Sequence, residues 1–119
     1  MHLERSVRDP IVSEREVTIT REQIAAYAEA SGDRNPIHLD DDFARSVGLP
    51  GVIAHGMLVM GLMASTVGHA PDLRKISVRF GGIVVPGDTI TFTAEGAELK
   101  AVNQRGEPVL TKGSVVVEP

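Results

Sequence analysis

Apolar residues cover every face of the segment from Met57 to Val67: Met57, Leu58, Val59, Met60, Leu62, Met63, Ala64 and Val67 leave no polar stripe. A surface helix keeps a polar side, so this pattern predicts a helix surrounded by protein. Gly61 and Ala64 would let another backbone approach it closely, and Met57, Met60 and Met63 fall at helical spacing and read as core. After Pro71 the period changes. Ile76, Val78 and Phe80 alternate with Ser77 and Arg79, and Ile90 and Phe92 alternate with Thr89, Thr91 and Thr93. That two-residue period predicts antiparallel strands, with Pro86-Gly87-Asp88 as the turn between them. Asn103 to Pro108 is a second turn, and Val109 to Val117 reads as a closing strand with Gly113 as a bulge.

Upstream, Glu14 to Thr18 holds a single Val and predicts a weak edge strand. Thr20 followed by Gln23 is a capping-box pattern, Ile24, Tyr27 and Ala28 keep helical spacing, and Gly32 marks a stop. A helix over Arg21–Ser31 follows. Asn35-Pro36 breaks any continuation, so Asp33 to Leu39 must be an ordered loop. Asp40 to Asp42 read as the solvated start of a second short helix that Gly48 and Pro50 end. Helices followed by strands define an α+β fold. The strands so read give a short sheet of three or four. Such a sheet leaves part of the apolar helix bare, which predicts a dimer.

At 119 residues the chain reads as one domain over 1–119. Its net charge of −4 comes with scattered Lys and Arg, which excludes the basic surface that nucleic acid or an anionic membrane demands. The absence of Cys excludes disulfides, thiolate nucleophiles and Cys-ligated zinc. Gly51 to Pro71 carries no Asp, Glu, Lys or Arg, but His55, Gly56, Gly61, Ser65, Thr66, Gly68 and His69 interrupt it. Its continuous apolar part falls short of the roughly 20 residues a bilayer requires. The charged lead-in MHLERSVRDP has no secretory core, and the chain is expected to be soluble and cytoplasmic.

The candidate chemistry lies where the polar loop meets the apolar helix. Asp33, Asn35 and His38 share the loop, and His55-Gly56-Met57 opens the helix. A carboxylate and an imidazole this close in sequence can share one water, and a helix N-terminus offers unpaired N–H groups to a developing negative charge. Blander roles compete: His38 as a structural hydrogen-bonding residue, Asp33 as a turn cap, and His55 as a hydrogen-bonding residue before the helix. A metal site from His38, Asp40 and His55 lacks a recognised ligand spacing, so none is expected. His69 has no supporting partner.

These residues carry a likeness. YAEASGDRNPIHLDDDFARSVGLPGVIAHGMLVMG resembles the hydratase signature of the MaoC-like, R-specific enoyl-CoA hydratase family, and SVRFGGIVVPGDTITF resembles the same family more loosely. The resemblance implies a hot-dog fold, a curled antiparallel sheet wrapped round a long central helix. It implies syn addition of water to a trans-2-enoyl thioester, giving the (R)-3-hydroxyacyl product, or the reverse dehydration, with no cofactor. Asp33 and His38 match the pair that activates one water, and Gly56 matches the glycine whose N–H bonds the thioester carbonyl. Asn35, which shapes the loop, His55 and Met57 would border the substrate, an acyl-CoA or an acyl carrier protein thioester. A homodimer, or a heterodimer with a related chain, is the expected assembly. Arg74, Lys75 and Arg79 could meet the phosphates of coenzyme A, or simply be exposed. Two other functions fit the same fold: an acyl thioesterase, although Gly51 to Ala70 lacks the expected carboxylate, and a non-catalytic subunit of a heterodimeric dehydratase.

Overall fold

The computed structural model describes residues 12–67 and 73–117. Its elements are β1 (Val12–Thr18), α1 (Arg21–Ser31), a 3-10 turn (Pro36–His38), α2 (Asp41–Ser46), α3 (Gly56–Val67), β2 (Leu73–Phe80), β3 (Thr89–Glu95), β4 (Glu98–Val102) and β5 (Pro108–Val117). The lead-in MHLERSVRDP and His69 lie outside the described residues, as does the side chain of Arg74. Among the described residues no helix is long and apolar enough to cross a membrane.

The five strands form one antiparallel sheet in the order β1-β3-β4-β5-β2, with β1 at an edge as its polar sequence predicts. The sheet is larger than expected, because Glu98–Val102 is a full strand paired with Thr91 to Glu95. Gly96, at φ 60°, turns the chain between them. Only Leu99 and Ala101 of β4 are buried, and two small-to-medium apolar residues give too weak an alternation to stand out in the sequence. The Gly113 bulge is present. There the β2–β5 register skips between Ser77 and Arg79, Lys112 takes φ 50°, and a Cβ on residue 113 would lie 2.5 Å from the Leu99 carbonyl oxygen. No side chain fits in that gap, so glycine is required.

Helix α1 begins and ends where its caps place it. Thr20 Oγ1 accepts from the Gln23 N–H at 3.1 Å, and Gln23 Oε1 accepts from the Thr20 N–H at 2.9 Å. Gly32, at φ 80°, closes it by donating to the Ala28 carbonyl at 3.0 Å. The core lies between α3 and the sheet: Val59, Met63 and Val67 pack with Ile90, Phe92, Ala94, Leu99 and Ala101. This encloses α3 on one side only. Met57 is 57% exposed, Gly61 is exposed and Met60 is partly so, which corrects the expectation that all three methionines are core. A single sheet has one inner face, and one face cannot surround a helix.

Candidate active site

The loop after α1 is held by its own short polar side chains. The Asn35 N–H donates to Asp33 Oδ1 at 3.3 Å, and the Ile37 N–H donates to Asn35 Oδ1 at 3.1 Å. Asn35 therefore caps the 3-10 turn, Pro36 supplies its first position, and His38 is delivered inward, 8% exposed. Its Nδ1 lies 2.7 Å from the Ile53 carbonyl oxygen. A carbonyl only accepts, so Nδ1 carries the proton and Nε2 keeps a bare lone pair. The segment that presents this carbonyl is fixed in turn, since the Ile53 N–H donates to the Ile37 carbonyl at 3.0 Å.

His55, 2% exposed, completes the cluster. Its Nε2 donates to the main-chain carbonyl of Asp33 at 2.9 Å, and its ring stacks on His38 with centroids 3.6 Å apart and planes 21° apart. Tyr27 packs edge-on against the other imidazole neighbourhood, its ring centroid 4.8 Å from that of His55. A carboxylate oxygen of Asp33 and one ring nitrogen each of His38 and His55 lie within 4.8 Å of one another. Two polar atoms that far apart are spanned by one water hydrogen-bonded to both. A metal ion fits less well. The nearly parallel rings send their lone pairs side by side, not toward one ion about 2.0–2.1 Å from each nitrogen. Asp40 is not among the three; it caps α2, accepting from the Phe43 N–H at 3.1 Å.

Gly56 is the first residue of α3, where helix geometry leaves its N–H without an acceptor inside the helix. It lines an apolar cavity of about 290 Å³ with Ile53, Ala54, Val59, Phe80 and Val84. A Cβ on residue 56 would stand 3.2 Å from the Phe80 ring, so glycine lets that ring close over the start of the helix. The open N–H of Gly56 and the imidazole pair are thus joined by the short segment from Ile53 to Gly56. Met57, expected to border the substrate, projects outward, and Lys75 and Arg79, weighed as phosphate contacts or plain surface residues, are exposed on β2.

Two residues of the arrangement have no signal in the sequence pattern. Tyr27 looks like an ordinary helix-spacing residue, and Asp41 like one carboxylate in a solvated run. Asp42 is solvated, but Asp41 is not merely so. Its Oδ1 accepts from the Val52 N–H at 2.9 Å and its Oδ2 from Arg21 at 2.8 Å. The Val52 N–H above all, with the Arg21 guanidinium, holds the Asp41 carboxyl below the usual aspartate range. Asp41 so ties α2 and α1 to the segment that carries Ile53.

A five-stranded antiparallel sheet packed on one long helix is the hot-dog fold that the sequence resemblance implied. The unliganded R-hydratase PhaJ1 of Pseudomonas aeruginosa superposes with a TM-score of 0.81 at 26% identity, covering 95% of this chain and 83% of that one. Residues 3–118 match the MaoC like domain, and the chain belongs to the MaoC-like dehydratase family. The 3-hydroxybutyryl-CoA dehydratase of Methylorubrum extorquens is 32% identical over 114 residues, which is 84% of this chain and 73% of that protein. The peroxisomal hydratase-dehydrogenase-epimerase of Saccharomyces cerevisiae is 37% identical over 82 residues, 68% of this chain but 9% of the yeast protein. The chain thus spans a small part of that larger relative.

Proposed function

We propose that this chain adds water to a trans-2-enoyl thioester to give the (R)-3-hydroxyacyl thioester, or catalyses the reverse dehydration. One observation carries the reading: the Asp33 carboxylate and the His38 ring converge to within one bridging water, and the Ile53 carbonyl leaves His38 Nε2 free to accept a proton. In the hydration direction the water oxygen bonds to the β-carbon while one of its protons passes to the pair. The pair returns a proton to the α-carbon and ends as it began. The intermediate charge falls on the thioester oxygen, where the Gly56 N–H donates; that interaction strengthens as the enolate forms and lowers the barrier more than it tightens substrate binding. The apolar cavity beside Gly56 suits an acyl chain, and coenzyme A or an acyl carrier protein would bring it. A second copy, or a related chain, would cover the bare side of α3.

The thioesterase reading is the weaker one, since α3 carries no carboxylate between Gly56 and Val67. Loss of the enoyl absorbance of crotonyl-CoA tests the proposal directly. Hydration by the wild type supports it; release of free thiol with the enoyl band intact points to a thioesterase, and inertness toward enoyl thioesters of every chain length sinks it. Gly56→Pro and Gly56→Ala form a sharper pair of probes: both set a Cβ against the Phe80 ring, and proline alone, tolerated in a first helical turn, removes the N–H. The kcat of Gly56→Pro should fall about a hundred- to a thousandfold below that of Gly56→Ala, with the fold of both checked by circular dichroism.

A further inference from the structure

His55 occupies a position that neither packing nor substrate contact explains. It is buried, one ring face lies on His38, Tyr27 meets it edge-on, and Nε2 is committed to the Asp33 carbonyl. Nδ1 is buried with no hydrogen-bond partner among the described residues. An unpartnered buried acceptor makes an imidazole a worse core filler than an apolar side chain of the same shape, so the ring is there for what its other nitrogen and its face hold.

Both of those contacts end on the proposed water-activating pair. Asp33 is the first residue beyond the left-handed Gly32 that closes α1, and Asn35 bonds its carboxylate only at 3.3 Å. Its peptide plane is therefore the pivot that aims the carboxylate. His55 Nε2–H fixes that plane by its carbonyl, and the His55 ring fixes the plane of His38 by stacking. We infer that His55 is a positioning residue that holds the Asp33 main chain and the His38 ring in one register, so that carboxylate and Nε2 converge on the same water, and that it does not touch substrate. This rests on the hydratase reading for its kinetic arm, while its spectroscopic arm does not.

The kinetic arm compares His55→Leu, His55→Gln, Asp33→Asn and the double variant His55→Leu/Asp33→Asn with crotonyl-CoA. His55→Leu should lose about 10- to 100-fold in kcat at nearly unchanged KM, as partners that orient reacting side chains commonly do. His55→Gln keeps a donor near the Nε2 position and should recover most of that loss. Residues that act as a unit are not additive, so the double variant should be little slower than Asp33→Asn alone. A raised KM with kcat intact, a Gln variant as slow as Leu, or losses that multiply in the double variant would each overturn the assignment.

The spectroscopic arm needs no turnover. Nitrogen-15 spectra of the imidazoles, assigned with His38→Ala, should show His55 protonated at Nε2 and bare at Nδ1, and His38 the reverse. A proton on His55 Nδ1 overturns the proposal even if His55→Leu fails to fold. An inert wild type with the expected tautomers would sink the hydratase reading and leave the His55 geometry standing.

Discussion

Two clusters of buried polar side chains sit in this fold, and they differ in how completely they are satisfied. In one, Asp88 Oδ2 accepts from the Val85 N–H at 3.1 Å and Oδ1 from Gln104 Nε2 at 2.9 Å. Asn103 Oδ1 accepts from the N–H groups of Arg105 and Glu107, and its Nδ2 donates to Glu107. The Asp88 and Asn103 bonds close the turns before β3 and β5 within themselves, and the Gln104–Asp88 bond ties one turn to the other. In the other cluster, Asp33, His38 and His55, one buried ring nitrogen has no partner among the described residues, a second keeps a bare lone pair, and an exposed carboxylate holds one long bond. Buried polar groups are nearly always paired when their task is structural. Hydrogen-bonding capacity left open beside a helix start is what the proposed water-activating site requires.

The largest expected effect separates the two clusters by rate. Asp33→Asn or His38→Ala should lower kcat by about a hundred- to ten-thousandfold, the span of general acid–base catalysis. The exposed Asp33 should change unfolding free energy by no more than about 0.5 kcal/mol, and urea titration beside steady-state kinetics reads both quantities. Asp88→Ala should do the opposite. It strands the Val85 N–H and the Gln104 amide, destabilising the fold by about 2–3 kcal/mol in urea while the folded fraction keeps its kcat. A rate collapse in the Asp88 variant with stability unchanged would erase the distinction.

The smallest effect is read against pH. Asp41 titrates below its ordinary value because of the Val52 N–H and then Arg21, and Glu107 does so because of Asn103 and then Arg105. A carboxyl whose folded pKa is depressed binds its proton more readily unfolded. Its stabilisation is present above the unfolded value of about 4 and fades as pH falls through the lower folded one. Unfolding free energy should therefore stay level from neutral pH to about pH 5 and drop below about pH 4. Asp41→Asn should flatten part of that acid slope. An unchanged slope would mean that the Val52 contact is not maintained in solution.

The elements most legible in the sequence are those fixed by local chemistry. Thr20, Gln23 and Gly32 specify α1 without help from the rest of the chain, and Asn35-Pro36 specifies the turn that delivers His38. The bulge at Gly113 is legible from the glycine itself, although what requires that glycine is the Leu99 carbonyl on β4. What escaped depends on distant partners. Strand β4 is defined by pairing with Thr91 to Glu95, not by its own weak alternation. The reach of Asp41 to Val52, the edge of Tyr27 on His55 and the His38–His55 stack all join residues far apart in sequence. Nothing local encodes such meetings, so Asp41 read as a solvated acid.

The bond from His38 to Ile53 has one last consequence. The group that chooses the imidazole's tautomer is a peptide oxygen, present whatever side chain occupies position 53 and unaffected by any pH at which the fold survives. Point substitutions there can reshape the apolar cavity without redirecting the lone pair. The shape of the cavity and the direction of that lone pair are thereby free to vary independently.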